Sequence, residues 1–120
     1  MQNPCHIFSA PAIYTVSLLV IDNNGDSSTT SLPLTVQAAP VVDAGLSQIV
    51  CAATACVPLT GTVTGGSSTG VWTTTGSGTF SPSDTDLAAC YMVSAADTAA
   101  GLVNIILTST NNGVCIPVID

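Results

Sequence analysis

Along residues 14–22, YTVSLLVID, the side chains alternate so that Tyr14, Val16, Leu18 and Val20 share one face and Thr15, Ser17, Leu19 and Ile21 the other. The pattern predicts a strand with one clear core face and an opposite face that is only half polar. DNNGD follows, and its Asn-Gly pair predicts a tight hairpin because both residues tolerate φ > 0. The return strand reads TTSLPLTVQ with Leu32, Leu34 and Val36 inward. Pro33 lacks a backbone N–H, which places this strand at a sheet edge or leaves its N–H side free.

An Ala/Pro boundary at 37–40 predicts a linker and divides the chain into a partial hairpin segment, 1–38, and a second unit, 39–120. In the second unit, short apolar runs predict strands at 47–50, 57–64, 71–75, 79–81, 88–93, 102–109 and 116–119. They are separated by GGSSTG, GSG, SPSDTD and NNG. SAADTAAG, 94–101, starts on Ser-x-x-Asp and stops on Gly, which predicts one helical turn. The expected fold is all-β: an antiparallel immunoglobulin-like sandwich anchored on Trp72, with Phe80, Val103, Ile105 and Leu107 also in its core.

Composition changes this picture mainly by exclusion. The chain has 120 residues, 47% of them hydrophobic, enough to bury a core, and no run approaches the ~18 apolar residues of a membrane-spanning helix. All seven acidic residues are Asp; Lys, Arg and Glu are absent, and His6 is the one side chain able to become a cation. Phosphate contacts need Lys or Arg, so nucleic acid and anionic membrane surfaces are not expected partners, nor is membrane insertion. Five cysteines at this length point to an oxidising, extracellular or cell-surface location. MQNPCHIFSAP has neither a basic n-region nor an apolar h-region, so a signal has been removed or the chain belongs to a longer exported protein.

NPCHIFSAPAIYTVSLLVIDNNG, residues 3–25, resembles the second half of a PKD (polycystic kidney disease) domain, whose pattern runs N-P-x-H-x-F and then P-G-x-Y-x-V-x-L-x-V-x-D-x-x-G. Ala12 stands where that pattern has Gly, and the family's earlier strands with their W-x-F-G-D-G signature have no counterpart here. Residues 41–120 resemble the repeated PKD-like modules of Bacteroidetes surface adhesins and gliding-motility-associated proteins. The blocks that carry this are VDAGLSQIVC, LTGTVTGGSSTGVWTTTGSGTFSPSDTDL, YMVSAADTAAG and LTSTNNGVCIPVID. The resemblance implies an Ig-like module of an exported surface protein or filament and implies no chemistry. It also implies a further strand after PVID.

The resemblance places a disulfide at Cys51 and Cys115. Cys56 and Cys90 fall where such modules usually carry other residues, so their joint presence implies a second bridge. A Cys51–Cys56 bridge, or buried thiols packing as small hydrophobes, are the alternatives. Cys5 is left over, a candidate for an intermolecular bond or a free thiol. Zinc is not expected, with no C-x-x-C and a single His. Asp22 and Asp26 in DNNGD, and Asp84 and Asp86 in SPSDTD, are weak calcium candidates; without a Glu to close the coordination, solvated turns explain both. No other cofactor is expected. His6 is expected to pack near Tyr14 in a structural role, and the Gly-rich turns lack a following helix or Lys, so no enzymatic site is expected.

What remains is assembly. Leu19, Ile21, Leu102 and Ile106 sit opposite the core faces of their strands, and strands apolar on both faces are covered on both faces; the alternative is incidental surface hydrophobes. With Tyr14, Val16, Leu18 and Val20 they form the expected assembly surface. A module short of its last strand and a hairpin short of its sheet can repair each other, so the leading expectation is a homopolymer built by β-strand complementation. A glycan- or protein-binding adhesion module, monomeric in isolation, is the second expectation.

Overall fold

A computed structural model describes residues 4–120. The chain divides into two compact units, residues 1–38 and 39–120. Strands dominate and one short helix is present, an all-β arrangement.

The first unit is a single antiparallel hairpin of β1 (Ala12–Ile21) and β2 (Ser27–Val36). Its register pairs Tyr14 with Leu34 and Val16 with Leu32, so the apolar positions of both strands fall on one face. The turn differs from the expected Asn-Gly geometry. Gly25 alone has a positive φ, 88°, and its N–H bonds the Asp22 carbonyl at 3.2 Å. The Asp22 carboxylate, 2.9 Å from the N–H groups of both Asn24 and Asp26, holds the loop from inside. This is the three-residue loop in which a turn is followed by a left-handed glycine, and it spares Asn24 a strained conformation. Below the strands, His6 packs edge-on against Phe8 (4.7 Å) and Phe8 against Tyr14 (4.6 Å), so the histidine reaches the tyrosine through an intervening ring.

The second unit contains β3 (Pro40–Asp43), β4 (Val57–Pro58), β5 (Thr62–Gly65), β6 (Thr69–Thr74), β7 (Thr79–Ser81), β8 (Cys90–Met92), α1 (Ala95–Ala100) and β9 (Ile105–Thr110). One set of pairings is β3 with β5 and β4–β8–β7; another is β6 with β9. The expected strand at 57–64 is divided because it changes partner. Leu59 and Gly61 donate to Ala89 and Leu87, whereas Val63 pairs with Val42 of β3. At the crossover the chain passes over the indole of Trp72. A Cβ on Gly61 would lie 2.5 Å from Trp72 Cζ2 and 2.8 Å from Leu107 Cδ2, so only glycine fits.

Three other expectations change. No strand forms at 47–50: the Asp43 carboxylate caps the Gly45 N–H at 2.8 Å, Gly45 turns with φ of 89°, and 44–56 runs as irregular chain that leaves Leu46 and Ile49 exposed. Leu102 and Val103 precede β9 rather than belonging to it, because α1 ends at the left-handed Gly101. The 116–119 strand shrinks to a Thr108–Ile119 bridge, extended by Leu107–Asp120 and Ser109–Val118 backbone bonds.

The core lies between the two sets of pairings. Trp72, Tyr91 and Leu107 are 1%, 2% and 0% exposed, with Val57, Leu59, Val63 and Ala89 around them. Phe80, Val103 and Ile105 pack against this cluster, as expected from the sequence. Cys56 and Cys90 form a disulfide between the start of β4 and β8, with Cα atoms 5.6 Å apart. Closing a loop across a separation of 34 residues is worth roughly 3–4 kcal/mol in the chain-entropy account.

Candidate functional site

The sequence-predicted residues sort into three places. Trp72 is in the core: its indole N–H donates to the Asp86 carbonyl at 3.0 Å and its backbone N–H to Asp84 at 2.7 Å. The ring a sugar would stack on is therefore covered. The 82–89 loop that holds it contains both weak calcium candidates, and the Asp86 carboxylate is itself engaged by the Ala88 N–H at 2.9 Å. With Asp22 closing the hairpin loop, two of the four candidate carboxylates act as turn caps. Among the described residues no cluster of three or more His, Cys or Asp is arranged to hold a metal ion, and no helix is long and apolar enough to cross a membrane.

The cysteines divide differently from the expected pairing. Cys56 and Cys90 are joined, but Cys51 and Cys115 are thiols, as is exposed Cys5. The resemblance puts Cys51 at the end of an early strand; in this chain 44–56 forms no strand, so no ladder presents Cys51 to the end of β9.

The sequence reading missed a buried polar centre. The Ser-x-x-Asp start of α1 was legible and forms a reciprocal capping box, with the Ser94 side chain accepting from the Asp97 N–H at 3.1 Å and Asp97 Oδ2 accepting from the Ser94 N–H at 3.1 Å. The same carboxylate also accepts from the Ser77 N–H at 2.8 Å and the Tyr91 hydroxyl at 2.8 Å. Tyr91 in turn accepts from the Gly78 N–H at 3.0 Å. The backbone bond from Ser77 is the main cause holding the Asp97 carboxyl well below its ordinary range, with the Ser94 and Tyr91 bonds adding to it against the opposing effect of burial. A carboxylate so fully engaged has no lone pair aimed at solvent, and its role is to tie the 75–78 turn, β8 and α1 together. GSG beside a Ser-x-x-Asp motif was the available signal.

The third place is surface. In the hairpin, Leu18 is 60% exposed on one face and Leu19 56% on the other, and Val16, Val20, Ile21 and Leu32 are exposed as well. Tyr14 is half-buried by Phe8. In the second unit Leu102 is exposed and Ile106 half-buried. The second unit also has a cleft of about 550 Å³ between the 44–52 segment and the approach to β9. Its floor is the core itself, with Val57, Leu59, Trp72, Val93, Val103 and Ile105 in the walls. Comparison of the chain with family models, curated proteins and solved structures returned no match.

Proposed function

We propose that this chain is a non-enzymatic structural module of an extracellular filament or surface adhesin, assembling head to tail by β-strand complementation. The observation that carries the reading is the hairpin: a ten-residue β1 with no charged side chain, apolar and exposed on both faces. An isolated two-stranded hairpin is marginal in water, so such a surface calls for a cover. The magnitudes say how much. Burying Val16, Leu18 and Val20 contributes about 1.5–3 kcal/mol each, whereas association costs on the order of 4–15 kcal/mol. One face alone is insufficient; Leu19, Ile21 and a backbone ladder are needed as well.

The second unit supports an immunoglobulin-like, PKD-like sandwich. β3, the run 57–65, β8 and β7 follow one another by hydrogen bonding, and β6, β9 and the 118–120 segment make the other side. That is the four-plus-three division of the constant-type immunoglobulin arrangement. The Cys56–Cys90 disulfide favours an oxidising, exported location. The burial of Trp72 argues against glycan stacking as the main role.

The test replaces one side chain on each face of β1. Leu18→Asp with Leu19→Asp is expected to convert large species into monomer in sedimentation velocity, with an unchanged melting temperature. Assemblies of undiminished size in the double variant would contradict the reading.

A further inference from the structure

We infer that the cleft beside β9 is the acceptor for β1 of a second copy of this chain, which pairs antiparallel with the open edge of β9. The inference rests on the assembly reading above and specifies its contact.

The acceptor edge follows from the hydrogen bonds. Leu107 exchanges both backbone bonds with Asp120, at 2.9 and 3.0 Å, and the Ser109 N–H donates to Val118 at 2.9 Å. On the other side, Asn104 accepts from the Thr75 N–H at 3.0 Å. Odd-numbered residues here therefore turn their backbone groups toward the 118–120 segment and even-numbered ones toward β6. Ile105 and Val103 continue the odd series. Among the described residues no strand pairs with them there, and the cleft opens directly alongside, down to Trp72. A strand in line with 118–120 would complete the ladder and roof the core in one step.

The donor edge follows in the same way. Asp22 and Asp26 are bonded across the hairpin, so even-numbered residues of β1 face β2, and Ile13, Thr15, Ser17, Leu19 and Ile21 turn their backbone groups outward. Every one of them keeps its N–H. The outward series of β2 is odd-numbered too and includes Pro33, paired with Thr15, which leaves a gap in the middle of that edge. The intact edge is thus β1. Its Val16, Leu18 and Val20 face is then available to cover the cleft walls.

Charge selects the same pairing. At a net charge of −7, most surfaces of two copies repel. Residues 1–21 carry no carboxylate and include His6, while Asp43, Asp84, Asp86, Asp97 and Asp120 lie in the second unit. The one segment that can approach the acidic unit of a neighbour without added repulsion is the one with the free edge.

Full-length chains test this. A donor-blocked chain carries Val16→Asp and Leu18→Asp. An acceptor-blocked chain carries Ile49→Asp and Leu102→Asp, two cleft-lining side chains that are 103% and 79% exposed, so the fold should persist. Each alone is expected to be monomeric by light scattering. An equimolar mixture is expected to form a 1:1 dimer that grows no further, since one chain keeps a working cleft and the other a working β1. If the acceptor-blocked chain assembles like the unmodified one while the donor-blocked chain does not, or the mixture stays monomeric, the cleft assignment is overturned and hairpin-driven assembly survives. An unmodified chain that is monomeric overturns both. Circular dichroism checks the fold of each variant, and Leu102→Lys alone, expected to weaken assembly at least tenfold in apparent affinity, replaces the acceptor double variant if that one unfolds.

Discussion

The two units use the same kinds of side chain in opposite ways. In residues 39–120, Trp72, Tyr91 and Leu107 are removed from water and their polar atoms are matched. In the 1–38 hairpin, Leu18, Leu19, Val20 and Ile21 stand in solvent on both faces of a strand whose backbone ladder is otherwise regular. The difference teaches that the alternation forming a strand does not by itself make a core. A second layer must be supplied, and the hairpin does not contain one.

The contrast can be broken most severely in the second unit. Trp72→Ala is expected to cost about 3–5 kcal/mol by urea denaturation, since it empties the centre of the core and strands two hydrogen bonds. Leu18→Ala, in the hairpin, removes a side chain of comparable character, and a loss of 3 kcal/mol there would place a hidden core where none is described. Next in size, Cys56→Ala with Cys90→Ala is expected to cost roughly 3–4 kcal/mol in the same assay, and dithiothreitol should reproduce it. Tyr91→Phe should cost about 1–3 kcal/mol by leaving Asp97 and the Gly78 N–H short of a partner; an unchanged midpoint would mean the buried polar centre is not holding the 75–78 turn.

Asp97 sharpens the comparison through pH. Its carboxyl is depressed in the folded chain, so its stabilising contribution is fully present above the ordinary value of 3.8 and is lost as pH falls below it. Melting temperature should therefore fall on acidification below about pH 4, and Asp97→Asn should flatten that dependence while lowering stability at neutral pH. An equally steep acid limb in Asp97→Asn would assign the effect to other carboxylates. The smallest effect belongs to the hairpin: Leu18→Ala should shift unfolding of dilute monomer by no more than ~0.5 kcal/mol.

Local signals were read well from the sequence where a residue's own chemistry decides. The alternation of β1, the position of Pro33, the Ser94–Asp97 cap with its Gly101 stop, and the core role of Trp72 all follow from side-chain type and spacing. Choice of partner was not legible. The run 57–64 is one strand by pattern, but it is split because its two halves pair with different neighbours across Gly61. The segment 47–50 is apolar enough for a strand, yet Asp43 and Gly45 turn the chain away from any ladder. Cys51 lost its expected bond for the same reason. Tyr91 and Ser77 converge on Asp97 only through the fold, and nothing in their spacing announces it. The turn at Asp22–Asp26 was recognised by its Asn-Gly, but the aspartate that organises it was read as a weak metal candidate.

The central claim is that the hairpin's exposed strand is an assembly element. The most direct measurement is the mass of the intact, unmodified chain at micromolar to millimolar concentration by light scattering, with negative-stain imaging of the same samples. Head-to-tail complementation does not close on itself, so large concentration-dependent species and unbranched fibres are expected. A chain that holds the monomer mass of 11.9 kDa across that range would contradict the account.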